Sequence, residues 1–173
     1  MLFNTDMISG VVQIKNTELK KKIIDKFGKD YYIGNAINKE FAKDLFYSGT
    51  DESSENLKWI TKTVGTYVAE YLRTYKESLN VSDTKSYILV ESAILFETGF
   101  EKECDYVIGV KSTNPINAAY QRDYTTREEW EIRMATQLPE NKKKFDFVIG
   151  NDYTDAVQLQ VNQVHTEIMN KIS

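Results

Sequence analysis

The chain has 173 residues and a formal net charge of −4, from 22 basic and 26 acidic side chains, a length that suits one ordinary domain. Its 41% apolar and 28% charged content excludes disordered and collagen-like classes, and the negative balance argues against nucleic-acid binding through bulk charge. No apolar run approaches the ~18–20 residues of a membrane-spanning helix, and Met1-Leu2-Phe3-Asn4-Thr5-Asp6 has no basic stretch leading into an apolar one, so no secretory leader is read.

Taken in chain order, Met1-Leu2-Phe3-Asn4 reads as part of a strand. Thr17 is a helix cap, followed by an apolar face of Leu19, Ile23, Ile24 and Phe27 and a stop at Gly28. Asn38 caps a second helix that carries Phe41, Leu45 and Phe46, and residues 49–54 read as a loop. The longest helix is predicted over 55–79, with Leu57, Ile60, Val64, Val68, Tyr71, Tyr75 and Leu79 as its buried stripe. The rhythm then changes. Residues 87–90, 106–110 and 147–149 are short apolar runs that read as strands buried on both faces. Helical patterns intervene at 127–137 and 155–172, the latter with Val157, Val161, Val164, Ile168 and Ile172 as its stripe.

Strands alternating with helices predict an α/β domain with a parallel sheet. Ligands in such folds gather beyond the carboxyl ends of the strands, which directs attention to the residues after Val90, Val110 and Ile149. Glu91 stands at one of these ends, suited to meet a substrate hydroxyl or a cation, or equally to cap a loop. Arg122, Arg127 and Arg133 surround a Thr126-Arg127-Glu128-Glu129 capping box. Guanidinium forks match phosphate oxygens, so these arginines suit a lid that closes on phosphates; solvated surface arginines are the alternative. Asn151 follows the last strand, where its amide can read a base edge or simply make a turn. Cys104, the one cysteine, is read as a buried thiol in a reducing cytoplasm. His165, the one histidine, is read as a surface residue, and the count excludes histidine triads and multi-histidine metal sites.

These residues together resemble the dephospho-CoA kinase family across nearly the whole chain. The resemblance rests on a short strand ending at Asp6, on Phe27-Gly28, on Val90-Glu91-Ser92-Ala93-Ile94-Leu95-Phe96-Glu97, and on Asp105 opening the next strand. It rests further on the lid-like Arg122–Pro139 stretch and on Asp146-Phe147-Val148-Ile149-Gly150-Asn151. The resemblance implies a P-loop kinase fold: three layers, a parallel sheet flanked by helices, in one domain over 1–173, with a helical CoA-side region at about 10–80 and a lid at about 116–140. It implies phosphorylation of the 3′-hydroxyl of dephospho-CoA by ATP with Mg²⁺, the last step of coenzyme A synthesis. Asp6, Arg122 and Arg133 would be catalytic, Glu91, Leu95 and Arg127 would bind substrate, and Asn151 would serve the nucleotide. No residue is assigned as a protein ligand to metal. The expected partners are dephospho-CoA and ATP, with no nucleic acid and no membrane, in the cytoplasm, and self-association is left open.

The sequence also departs from the family pattern. These residues contain no Gly-x-x-x-x-Gly-Lys-[Ser/Thr], which in the family precedes the Asp6-like position by one strand–loop–helix passage of roughly 25–30 residues. A His-Pro pair is replaced by Thr61-Lys62, and an arginine by Ala118. The first central strand is therefore expected to be missing between the 87–90 and 106–110 strands, and a shortened product is expected. Activity is expected to be weak without the loop. The alternative is a catalytically silent homologue that binds a nucleotide, a CoA-like ligand or a protein partner; another small-molecule phosphotransferase on the same scaffold explains residues 91–100 less well.

Overall fold

Asn4, Asn16 and Asn38 each stand one residue ahead of a helix, and each turns its side-chain oxygen onto the amide three residues on. In a computed structural model of the chain, which describes residues 1–79, 87–112, 126–151 and 156–172, these oxygens accept from the N–H groups of Met7, Leu19 and Phe41 at 2.9, 2.9 and 3.3 Å. Each such cap satisfies a backbone donor that the first helical turn leaves open and contributes about 1 kcal/mol. They start α1 (Thr5–Lys15), α2 (Thr17–Phe27) and α3 (Lys39–Tyr47). Asn16 works in both directions, because its own N–H bonds the Val12 carbonyl at 2.9 Å and closes α1. The cap of α2 is thus Asn16 rather than the expected Thr17, which is already helical.

The long helix α4 runs Asp51–Ser78. It begins inside the stretch read as a loop, because Thr50 and Ser53 form a reciprocal capping box in which each side-chain oxygen takes the other's N–H at 3.1 Å. Its buried stripe is Ile60, Val64, Val68 and Leu72. Tyr71, expected in that stripe, is exposed; three successive steps of four carry the seam from Ile60 to Leu72 instead.

Two compact units result, Met1–Asn80 with Ile88–Phe100 and Val81–Tyr87 with Glu101–Ser173. The core of the first joins Phe3, Val12, Leu19, Ile23, Tyr31, Phe46, the α4 stripe and Phe100. Leu19, Ile23 and Leu72 are fully buried, a burial worth roughly 1.5–3 kcal/mol for each such side chain. Phe27 anchors an aromatic cluster, edge-on to Phe46 and Trp59 at 5.6 and 5.2 Å between ring centres. Strand β1 (Leu2–Asn4) pairs in parallel with β4 (Leu89–Glu91), while β2 (Tyr32–Ile33) and β3 (Ala36–Ile37) form a small antiparallel hairpin. A short helix α5 (Leu95–Thr98) follows β4 and ends at Gly99, whose φ of 76° supplies the left-handed cap.

In the second unit β5 (Ile108–Lys111) and β6 (Phe147–Gly150) pair in parallel, accompanied by α6 (Arg127–Thr136) and α7 (Ala156–Ile172). Ile149, Ile168 and Val107 are buried. The Asp146 carboxylate accepts the Val107 N–H at 2.7 Å, while the Asp146 N–H bonds the Val107 carbonyl at 2.8 Å, fixing the entry to both strands. Asp105, expected to open β5, lies three residues before it.

The α/β class and the parallel pairing match expectation. The strands are not buried on both faces: Leu89, Val110 and Val148 are 47%, 65% and 50% exposed. Among the described residues the strands form three separate two-stranded sheets, β1–β4, β2–β3 and β5–β6. Cys104 is half-buried rather than buried. His165 is exposed, with its Nδ1 2.8 Å from the Tyr87 hydroxyl. No described helix is long and apolar enough to cross a membrane.

Candidate functional site

In the first unit the carboxyl ends of β1 and β4 lie side by side, with Asn4 in register with Glu91. The Asn4 carboxamide divides its two functions here. Its oxygen caps α1 through Met7 N–H, and its Nδ2 donates to Glu91 Oε2 at 2.7 Å. Both contacts fix which way the amide points, so Glu91 is held beside the first turn of α1. Asp6 is exposed in that turn, two residues beyond the end of β1 rather than at the strand's own end as expected. A first-turn carboxylate also favours the helix dipole, which gives Asp6 a structural reason to be there. Leu95 opens α5 and packs, half-buried, against the core.

These carboxylates can accept a proton or hydrogen bond from a hydroxyl, and as hard oxygen donors they are of the class that Mg²⁺ takes alongside phosphate oxygens. Among the described residues no group of three or more potential metal ligands gathers.

Two grooves flank α4 in the same unit. One, of about 370 Å³, is lined by Val12, Asn16, Tyr67, Glu70, Tyr71 and Tyr75 among others. The other, about 460 Å³, is lined by Lys22, Trp59, Lys62, Thr63, Thr66 and Tyr67. At the second, Lys22 pairs with Glu18 at 2.8 Å and donates to the Tyr67 hydroxyl at 3.0 Å. The hydrogen bond to Glu18 is the main reason the ammonium holds its proton more tightly than usual, and the same contact keeps the Glu18 carboxyl below its ordinary range. Lys62 thus lines a groove that also carries the Lys22 ammonium, already paired with Glu18.

The second unit presents the ends of β5 and β6. Asn151 follows β6, half-buried, and its N–H donates to the Lys111 carbonyl at 2.7 Å. The Lys111 ammonium pairs with Glu140 and lies 5.8 Å from the centre of the Phe145 ring. The Lys111 hydrogen bond holds the Glu140 carboxyl below its usual range. Behind the strand end, the Gln160 carboxamide of α7 bonds the Gly150 main chain twice, accepting from its N–H at 2.9 Å and donating to its carbonyl at 3.1 Å.

Of the three arginines, Arg127 begins α6 with its Nε bonded to Glu131 at 2.8 Å and its side chain 76% exposed. Arg133 lies on α6, its side chain outside the described residues, as is all of Arg122. Asn4 and Gln160 are the polar side chains that sequence reading missed at these strand ends. The Asn4 cap was detectable, since an Asn precedes an apolar spacing of Ile8 and Val12; no local pattern links Gln160 to Gly150 ten residues earlier.

The sequence model of the dephospho-CoA kinase family matches residues 1–156. The chain is similar to a dephospho-CoA kinase of Chlorobaculum tepidum, at 28% identity over 97% of this chain and 83% of that protein. It is similar to one of Bacteroides fragilis at 27% identity, over 99% of this chain and 82% of that one. Its fold resembles the solved dephospho-CoA kinase from Campylobacter jejuni, with a TM-score of 0.60 at 18% identity, covering 99% of this chain and 86% of that structure.

Proposed function

This chain belongs to the dephospho-CoA kinase family, and from that premise we propose that it binds ATP and dephospho-CoA and moves the γ-phosphoryl group onto the ribose 3′-hydroxyl. The observation that carries the reading is the Asn4 tie to Glu91 beside the first turn of α1, the turn that contains Asp6. In the reaction the 3′-oxygen forms a bond to the γ-phosphorus, the bond to the β–γ bridging oxygen breaks, and ADP leaves. Asp6 orients the hydroxyl or takes its proton. Glu91 holds the acceptor or a water of the Mg²⁺ that accompanies ATP, and Leu95 packs beneath the acceptor. Arg122 and Arg133 stabilise charge on the transferring group, Arg127 binds substrate phosphate, and Asn151 meets the base. The assignment treats residues 1–173 as one kinase domain, with about 10–80 on the CoA side and about 116–140 as lid.

The 173 residues hold no glycine-rich phosphate cradle. Turnover by this chain is therefore slow, because positioning and electrostatic stabilisation are nearly the whole of phosphoryl-transfer catalysis. A second reading, a silent homologue that binds the nucleotide or a CoA-like ligand without transfer, draws on the same absence together with Thr61-Lys62 and Ala118. Steady-state kinetics with ATP and dephospho-CoA separate them. The kinase reading expects Arg133→Ala to lower kcat by about tenfold or more with small changes in KM; unchanged kinetics would remove that arginine from catalysis, and ligand binding without any transfer would favour the silent homologue.

A further inference from the structure

Among the described residues β6 is one strand of a two-stranded parallel pair, with one edge on β5 and no strand on the other. In a parallel ladder a residue bonds the residues that flank its register partner. Lys111 is in register with Gly150, and its carbonyl takes the N–H of Asn151. The N–H and C=O of Gly150 itself are therefore directed to the open edge. There the half-buried Gln160 carboxamide supplies one acceptor and one donor, at 2.9 and 3.1 Å. The two bonds also fix the orientation of the amide, since only oxygen can accept and only nitrogen can donate. A third contact, from the same Nε2 to the Ala156 carbonyl at 3.1 Å, ties the side chain to the first turn of its own helix. One carboxamide thus takes the place of a peptide group from a third strand.

We propose that Gln160 is a positioning residue for the nucleotide: by fixing the Gly150 peptide on both its polar atoms, it sets where Asn151 stands and so tunes recognition of the adenine base. The inference rests on the reading that Asn151 meets the base. Gln160 touches no substrate in this account. It acts through the Gly150 main chain, next to the Lys111–Asn151 bond that closes the ladder.

The test uses the full 173-residue chain, with Gln160→Ala and Gln160→Glu. Amide hydrogen exchange reads the clamp, calorimetry with Mg·ATP, Mg·GTP and dephospho-CoA reads binding, and thermal melts report folding. In Gln160→Ala the Gly150 amide should exchange about tenfold faster, and Mg·ATP affinity should fall about fivefold, the size expected from losing one or two ordinary hydrogen bonds. The ATP-over-GTP preference should narrow while dephospho-CoA affinity stays unchanged. Gln160→Glu keeps the acceptor and loses the donor, so its Gly150 protection should be intermediate. An unchanged Gly150 exchange rate in Gln160→Ala would overturn the clamp. Faster exchange with an unchanged nucleotide preference would overturn the positioning role, because a purely structural residue moves the melt and not the base selectivity. A wild-type chain that keeps Gly150 protected yet binds no ATP would overturn the kinase reading and the nucleotide role together, leaving the clamp as architecture only.

Discussion

Asn4 joins a helix start to a carboxylate with one side chain, so its removal has two separable consequences. Asn4→Ala deletes the cap on Met7 N–H and should lower stability by about 1 kcal/mol, read by urea denaturation. It also releases Glu91 from its 2.7 Å donor, so the KM for dephospho-CoA should rise more than the KM for ATP. Equal effects on both would mean that the tether serves folding alone. Tyr31 and Tyr32 make a prediction about pH. Burial pushes the Tyr32 phenol from its ordinary 10 up to about 12, and burial pushes Tyr31 up as well. Tyr31 donates to Gln13 Oε1 and Tyr32 to the Gln13 carbonyl, both at 2.9 Å. A raised folded-state pKa means the folded form holds its proton more tightly, so this stability is fully present below pH 10 and is lost as pH climbs through about 12. Stability should therefore decline over that window, and Tyr32→Phe should flatten the decline; an unaltered alkaline slope would contradict the assignment. Gly109 makes a third residue-level test. A Cβ there would stand 2.8–3.0 Å from the Phe145 ring, so Gly109→Ala should cost about 1–3 kcal/mol by overpacking, whereas a neutral effect would show that the ring shifts freely.

At the scale of elements, helices were readable because their signals are local. The apolar spacing of Leu19 and Ile23 and the Asn38 cap led directly to α2 and α3. The start of α4 was misplaced because Gly49-Thr50-Asp51-Glu52-Ser53-Ser54 has loop composition, and the reciprocal Thr50–Ser53 bonds that turn it into a helix start depend on geometry rather than on residue type. Asn16 and Thr17 pose the same ambiguity, since either type caps well. The structure resolves it with a testable consequence: Asn16→Ala should cost about 1 kcal/mol or more, as it removes the α2 cap beside the α1 stop, while Thr17→Ala should fall within about 0.5 kcal/mol of wild type. A reversed order would contradict the Asn16 assignment. Strand positions were legible from β-prone runs, but their burial was not, because exposure depends on what lies across the sheet. Leu89 and Val110 have the composition of interior strands and yet are well exposed.

For the whole molecule, the α/β class and the family were readable from the order of motifs along the chain, each of them weak alone. Side-chain partnerships across long separations were not. Asn4 with Glu91 spans 87 residues and Val107 with Asp146 spans 39, and nothing in the local sequence announces either. The account rests on the claim that the carboxyl ends of β1 and β4 serve dephospho-CoA phosphorylation, with Asp6 at the acceptor hydroxyl. The most direct measurement is transfer of labelled γ-phosphate from ATP to dephospho-CoA by this chain and by Asp6→Asn, with the 3′-phosphorylated product resolved by chromatography. The account predicts slow CoA formation that Asp6→Asn lowers by roughly a hundredfold or more, the scale of a general base. CoA formation indifferent to Asp6→Asn, or none at all from a folded chain, would contradict it.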